Sequence, residues 1–89
     1  MASILITYDL RAPGRNYNEL YEGIKALGSW WHCLDSNWIV STNLTTVQVR
    51  DRLAVYLDGN DKLLVVALAG QGAWVGFDKE CSDWLAQNL

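Results

Sequence analysis

The residue in this sequence best placed to do chemistry is an aspartate at the end of an apolar strand. Asp9 follows Tyr8 and precedes Leu10, after which Arg11-Ala12-Pro13-Gly14 breaks the pattern. A carboxylate fixed at a strand end can hold a divalent cation, and Mg²⁺ needs only one or two carboxylates, with waters filling its octahedron. A two-fold dimer could supply the second copy. Two carboxylates brought close repel, and a cation between them would relieve that repulsion. Arg11 and Arg15 follow at once and are the cations that would meet a phosphate. The plainer reading is that Asp9 caps the following turn, or pairs with Arg11 or Arg15.

The other reactive side chains form weaker sets. His32 is the single histidine, so a His pair or His-rich zinc site is excluded. His32 and Cys33 are neighbours in an apparent strand and point to opposite faces, so the imidazole cannot easily activate that thiol. Trp30, Trp31, Trp38, Trp74 and Trp84 could stack on bases, but they are not interleaved with lysine and arginine. Core or interface packing is the simpler use for them. Gly70-Gln71-Gly72 lacks the Lys-Ser/Thr and the helix start of a phosphate cradle. Asp58 and Asp61 around Gly59 fall short of a calcium loop's ligand count and read as loop residues.

These residues must be held by regular elements, and the apolar periodicity defines them. Ser3 to Leu10 reads as a strand with Ile4, Ile6 and Tyr8 on one face and Leu5, Thr7 and Asp9 on the other. From Asn16 to Leu27 the period becomes helical, with Tyr17, Leu20, Tyr21, Ile24 and Leu27 in one stripe. Asn16 with Glu19 resembles a capping box, and Gly28 is a natural stop. Ser29 to Thr42 reads as a hairpin turning at Leu34-Asp35-Ser36-Asn37. Thr45 and Gln48 form a capping box for a second helix whose stripe is Val49, Leu53, Tyr56 and Leu57. Lys62 to Ala69 is a continuous apolar strand, the pattern of burial on both faces. Asp78 to Leu89 closes the chain as a short amphipathic helix carrying Cys81, Trp84 and Leu85 on one side.

The order β-α-β-β-α-β plus a terminal helix predicts one α+β domain spanning residues 1–89. Two split β-α-β units give a ferredoxin-like, four-stranded antiparallel sheet with both crossover helices on one face. Right-handed crossovers put the first and third strands in the centre. The other face, which includes Leu5, is left to water, the terminal helix or a second copy. A bare apolar face is seldom left to water, which makes a homodimer the economical expectation.

Composition narrows the partners. Seven Lys and Arg against ten Asp and Glu give a net charge of −3, which disfavours nucleic acid without excluding a local basic patch. No run approaches the ~20 apolar residues of a membrane span. The N-terminus enters an apolar strand at once, with no basic leader, so a cytoplasmic location is expected. In that setting Cys33 and Cys81, far apart in sequence, are expected to be two reduced, partly buried thiols.

The opening ILITYDL, the helix ending in LG and the aromatic hairpin resemble the small CRISPR-associated protein number two. The resemblance is closer to SinR-like relatives of that group, through LYEGIKALGSWWHCLDSNWIVST with RDRL and LLVV downstream. It implies a ferredoxin-like homodimer. It also implies that a strand-end Asp in a Tyr-Asp-hydrophobic motif supports metal-dependent phosphodiester cleavage, a role that falls on Asp9. The CRISPR-associated proteins commonly carry a basic run after that Asp and a Gln-x-Ser-Val-Phe-like second strand. Here the second strand is Trp30-Trp31-His32-Cys33-Leu34. Many members serve as dimeric scaffolds. Two functions are therefore expected in competition. One is a non-catalytic homodimeric interaction or scaffold module with no cofactor. The other is a Mg²⁺-dependent endonuclease, for RNA or DNA, built on Asp9 paired across a dimer.

Overall fold

The computed structural model describes residues 1–12 and 14–89, so Pro13 of the expected breaker run lies outside the described residues. The chain runs β1 (Ala2–Asp9), α1 (Asn18–Lys25), β2 (Ser29–Leu34), β3 (Asn37–Thr42), α2 (Thr46–Ala54), β4 (Lys62–Ala67) and α3 (Lys79–Asn88). The four strands form one antiparallel sheet in the order β2-β3-β1-β4, with β1 and β3 inside and β2 and β4 at the edges.

Alternation along the strands sorts the sheet into two faces. Ile4 and Ile6 of β1 pair in register with Val40 and Trp38 of β3, and all four are buried against Leu20 and Ile24 of α1 and Val49 and Leu53 of α2. Both crossover helices therefore cover one face. Several of these side chains have no exposed surface, and truncating a buried Leu or Ile to Ala typically costs about 2–5 kcal/mol. Trp38 carries a polar group into this core, where its Nε1–H donates to the Tyr8 hydroxyl at 2.9 Å. Burial, the largest influence on Tyr8, pushes its phenol above the ordinary range.

The opposite face carries the odd-numbered set. Trp31, Ile39 and Leu85 form a smaller core there, with Leu5, Phe77, Cys81, Trp84 and Leu89 packed around it. The element that covers the β2–β3 side of this face is α3. Its tryptophan neighbours anchor it: Trp31 Nε1–H donates to the Cys81 carbonyl at 3.1 Å, and Trp84 Nε1–H donates to Ser29 Oγ at 2.9 Å. Asp78 caps α3 by accepting from the Cys81 N–H at 2.9 Å.

Capping chemistry held at one helix and failed at another. At α2, Thr45 Oγ1 accepts from the Gln48 N–H and the Gln48 side chain accepts from the Thr45 N–H, which is the expected reciprocal box. At α1 the expected Asn16–Glu19 box is absent. Asn16 Oδ1 instead accepts from the Asn18 N–H at 2.9 Å, a local turn that delays the helix start to Asn18. Gly28 does not stop α1, which ends at Lys25. It lies where β2 meets β3, and a Cβ there would collide with the Ser41 carbonyl oxygen.

Two further expectations are corrected. The apolar run of β4 is buried on one face only. Leu63 and Val65 pack under the helices, whereas Leu64 and Val66 on the other face are 57% and 39% exposed. β4 is an edge strand, and α3 covers the β2–β3 side of that face rather than the β4 side. The cysteines are not reduced thiols. Cys33 and Cys81 are joined as a disulfide, with their Cα atoms 6.4 Å apart. Once α3 lies over the second face, Cys33 of β2 and Cys81 in the first turn of α3 fall within bridging reach.

Candidate functional site

Asp9 is the last residue of β1, on the exposed second face, and sits opposite Lys62 in the β1–β4 register. Its carboxylate is already engaged. Arg11 Nε and Nη2 both donate to Asp9 Oδ2, at 2.9 and 2.7 Å. That hydrogen-bonded guanidinium is the main reason the Asp9 carboxyl is held below the usual carboxylate range. Both side chains are about half exposed, so the pair is solvated and contributes little to stability.

Behind this pair the chain is tied by Asp61, whose sequence context marks only a turn. Asp61 Oδ1 accepts from the Arg11 N–H at 2.6 Å, and Oδ2 accepts from the Asp58 N–H at 2.8 Å. The Tyr17 hydroxyl lies 2.8 Å from both Asp61 oxygens and donates to that carboxylate. Partial desolvation works against ionisation of Asp61. The three donors outweigh it and lower its pKa below the ordinary value. One carboxylate thus fastens the segment after β1, the start of α1 and the turn before β4. The Asp58-Gly59-Asn60-Asp61 turn sequence signalled only a turn, because nothing in the spacing named its distant donors.

Arg15 is part of the same tie. Its Nη2 donates to the Tyr56 carbonyl at 2.9 Å, its Nη1 lies 3.6 Å from Asp58, and its guanidinium stands 5.6 Å over the Tyr17 ring. Arg11 and Arg15 are therefore drawn to the end of β1 with Asp9, but each is matched to a carboxylate. Arg50 pairs with Asp51 on the β4 side of α2, and Arg52 borders a hollow near Gly28 and Asn43. The four arginines do not gather into one basic patch.

The fit to a metal is poor within one chain. Among the described residues no group of three or more His, Cys, Asp or Glu side chains is arranged to hold a cation. Asp9 Oδ2 is taken by Arg11. His32 is occupied too. Its ring stacks on Trp38 with centroids 3.8 Å apart and planes 5° apart, and its Nδ1 lies 3.1 Å from the Asn37 carbonyl. Cys33 points to the opposite face, as strand alternation requires, and is sealed in the disulfide. Trp30 is 43% exposed, with the Lys25 ammonium 5.2 Å over its ring, while Trp31 and Trp38 are buried.

The surface that stands out is the outer part of β4. Leu64 and Val66 lie beside Thr7 and Leu5 on the face away from α1 and α2. A shallow hollow of about 250 Å³ opens at its lower end among Thr7, Asp9, Lys62 and Leu64. A second, of about 200 Å³, follows the strand on the α2 side beside Val47 and Arg50. The free edge of β4 runs between them. No helix of the described residues is long and apolar enough to cross a membrane. No protein-family model matches this chain, and no solved structure matches it.

Proposed function

We propose that this domain is a ferredoxin-like, non-catalytic interaction module that pairs with a second copy of itself through β4. The ferredoxin-like reading is supported by the β-α-β-β-α-β order and by β1 and β3 lying inside the sheet. The resemblance to SinR-like relatives points the same way. The observation that carries the function is the uncovered apolar strip of Leu64 and Val66 on an edge strand. An edge strand offers unpaired N–H and C=O groups to another strand, and proteins ordinarily blunt such edges with charge or proline. Here only Lys62, at the start of β4, does so.

The competing nuclease, with Mg²⁺ between paired Asp9 side chains, gains nothing from the geometry. Arg11 already neutralises each Asp9 carboxylate through Oδ2, which lowers the pull on a cation. The acidic balance of the chain and the dispersed arginines also favour a protein partner over nucleic acid. The proposed location is the cytoplasm, where the Cys33–Cys81 bond would be redox-responsive rather than permanent.

Sedimentation equilibrium at micromolar concentration tests the pairing. A mass near twice the 10.0 kDa chain is expected. A monomer throughout that range would remove the reading, because a specific interface of ordinary size survives such dilution.

A further inference from the structure

The helix over the second sheet face is held there by the smaller of the two cores, three hydrogen bonds and one covalent bond. α3 has ten residues, too few to be stable alone in water. It hangs from β4 by an exposed segment containing Gly70, Gly72 and Gly76, two of which adopt positive φ. Its attachments are Leu85 against Trp31 and Ile39 with Trp84 and Leu89 packed beside them, the two indole hydrogen bonds, a hydrogen bond from Ser3 Oγ to the Asn88 carbonyl, and the disulfide. None of its residues belongs to the larger core formed by β1, β3, α1 and α2. That core is assembled from side chains of the other elements alone.

The disulfide is also within reach of solvent. Cys33 lies on edge strand β2, both cysteines are half-buried, and an open hollow of about 360 Å³ between Trp31, Glu80 and Trp84 is lined by both. A small thiolate has room to approach along it.

We propose that Cys33–Cys81 is a thiol–disulfide exchange site whose substrate is a dithiol reductant, and that its reduction releases α3 from the sheet. A thiolate of the dithiol forms a bond to one cysteine sulfur as the Cys33–Cys81 bond breaks, and the other cysteine leaves as a thiolate. The second thiol of the reductant then displaces the first cysteine and closes the reductant's own disulfide. Two electrons and two protons pass from the dithiol to the protein, which ends with two thiols. The released helix uncovers Trp31 and Ile39, which the oxidised protein buries, beside the half-buried Leu5. The latch lies on the β2 side of the sheet and does not depend on what covers β4.

Hydrogen exchange read by mass spectrometry tests it on the whole chain, before and after treatment with dithiothreitol. Reduction should speed exchange of the α3 amides by about tenfold or more and leave those of β1, β3, α1 and α2 within about twofold, the pattern of a subglobal opening. The Cys33→Ser/Cys81→Ser double variant should show the open pattern without reductant and no further change with it. Unchanged protection of α3 in the reduced protein would overturn the latch. So would loss of protection throughout the domain, in the wild type or the double variant, since the larger core would then depend on the bond. Two thiols that stay unpaired when the purified protein is equilibrated with oxidised glutathione would overturn the site itself.

Discussion

Replacing Leu64 by lysine separates an interface from an incidental apolar surface. Complete burial of a Leu or Val side chain is worth about 2 kcal/mol. Leu64 has 57% of its surface still exposed and Val66 has 39%. Covering the exposed part of Leu64 would then contribute about 1.1 kcal/mol per chain, and of Val66 about 0.8 kcal/mol. Two-fold symmetry doubles both. Losing Leu64 from each copy removes about 2.3 kcal/mol, which raises the dimer dissociation constant about 50-fold. Bringing two further ammonium groups beside Lys62 and its mate adds to the effect. The folded monomer should tolerate the change, because Leu64 touches neither core and lysine is a common residue on free edge strands. Sedimentation equilibrium of Leu64→Lys beside the wild type, with thermal unfolding of both, reads the two quantities separately. A dimer that persists with unaltered affinity would refute pairing through β4. A large fall in the melting temperature at concentrations where both proteins are monomeric would refute the claim that Leu64 lies outside the folded core.

Three other substitutions address the site and the fold. Asp9→Asn removes a solvated ion pair with Arg11 and should leave the urea midpoint nearly unchanged. Incubation of wild type and variant with RNA or DNA and Mg²⁺ should show equal, background cleavage, and activity confined to the wild type would reinstate the nuclease. Gly28→Ala forces a Cβ into the Ser41 carbonyl oxygen, so the β2–β3 pairing must shift, with a loss of about 1–3 kcal/mol measured by urea unfolding. The Asp61 carboxyl is held below its unfolded value, so its stabilising effect is present above about pH 4 and is lost as pH falls through the lowered folded value. Asp61→Asn should flatten that acid limb in urea midpoints taken from neutral pH downward, and an unchanged limb would place the effect elsewhere.

How far the sequence could be read depended on whether each signal was local. Alternation in Ile4, Leu5, Ile6 needs only its own strand, and it assigned the two faces as they are found. The Thr45–Gln48 box closes within four residues and formed. Asn16–Glu19 had the spacing but not the residue, since an Asn side chain has a competing acceptor geometry two residues on, and that bond won. Asp61 was unreadable because its donors, Arg11 and Tyr17, arrive from the far end of the chain. β4 shows the limit of hydrophobicity itself. A run from Leu63 to Ala69 is equally apolar whether a second layer covers both its faces or one, and only the placement of α3 over β2 and β3 decides that Leu64 and Val66 stay bare.

The disulfide lies between these cases, and its parts were all visible. Cys33 shares strand parity with Trp31, so both belong to the second face, and Cys81 stands four residues before Leu85 on one stripe of α3. Laying that stripe on that face brings the cysteines within reach, as their 6.4 Å Cα separation shows. The expectation of free thiols rests on the presumed compartment and on the wide separation in sequence rather than on geometry. Compartment governs whether a bond persists, whereas proximity governs whether it can form. The same argument orders the two faces by function. The α1–α2 face holds the larger core and fixes the sheet, while the second face carries the bridged helix at one side and the bare strip of β4 at the other. What this domain does is therefore to be sought on the second face, where the cover is partial and one of its fastenings can be chemically undone.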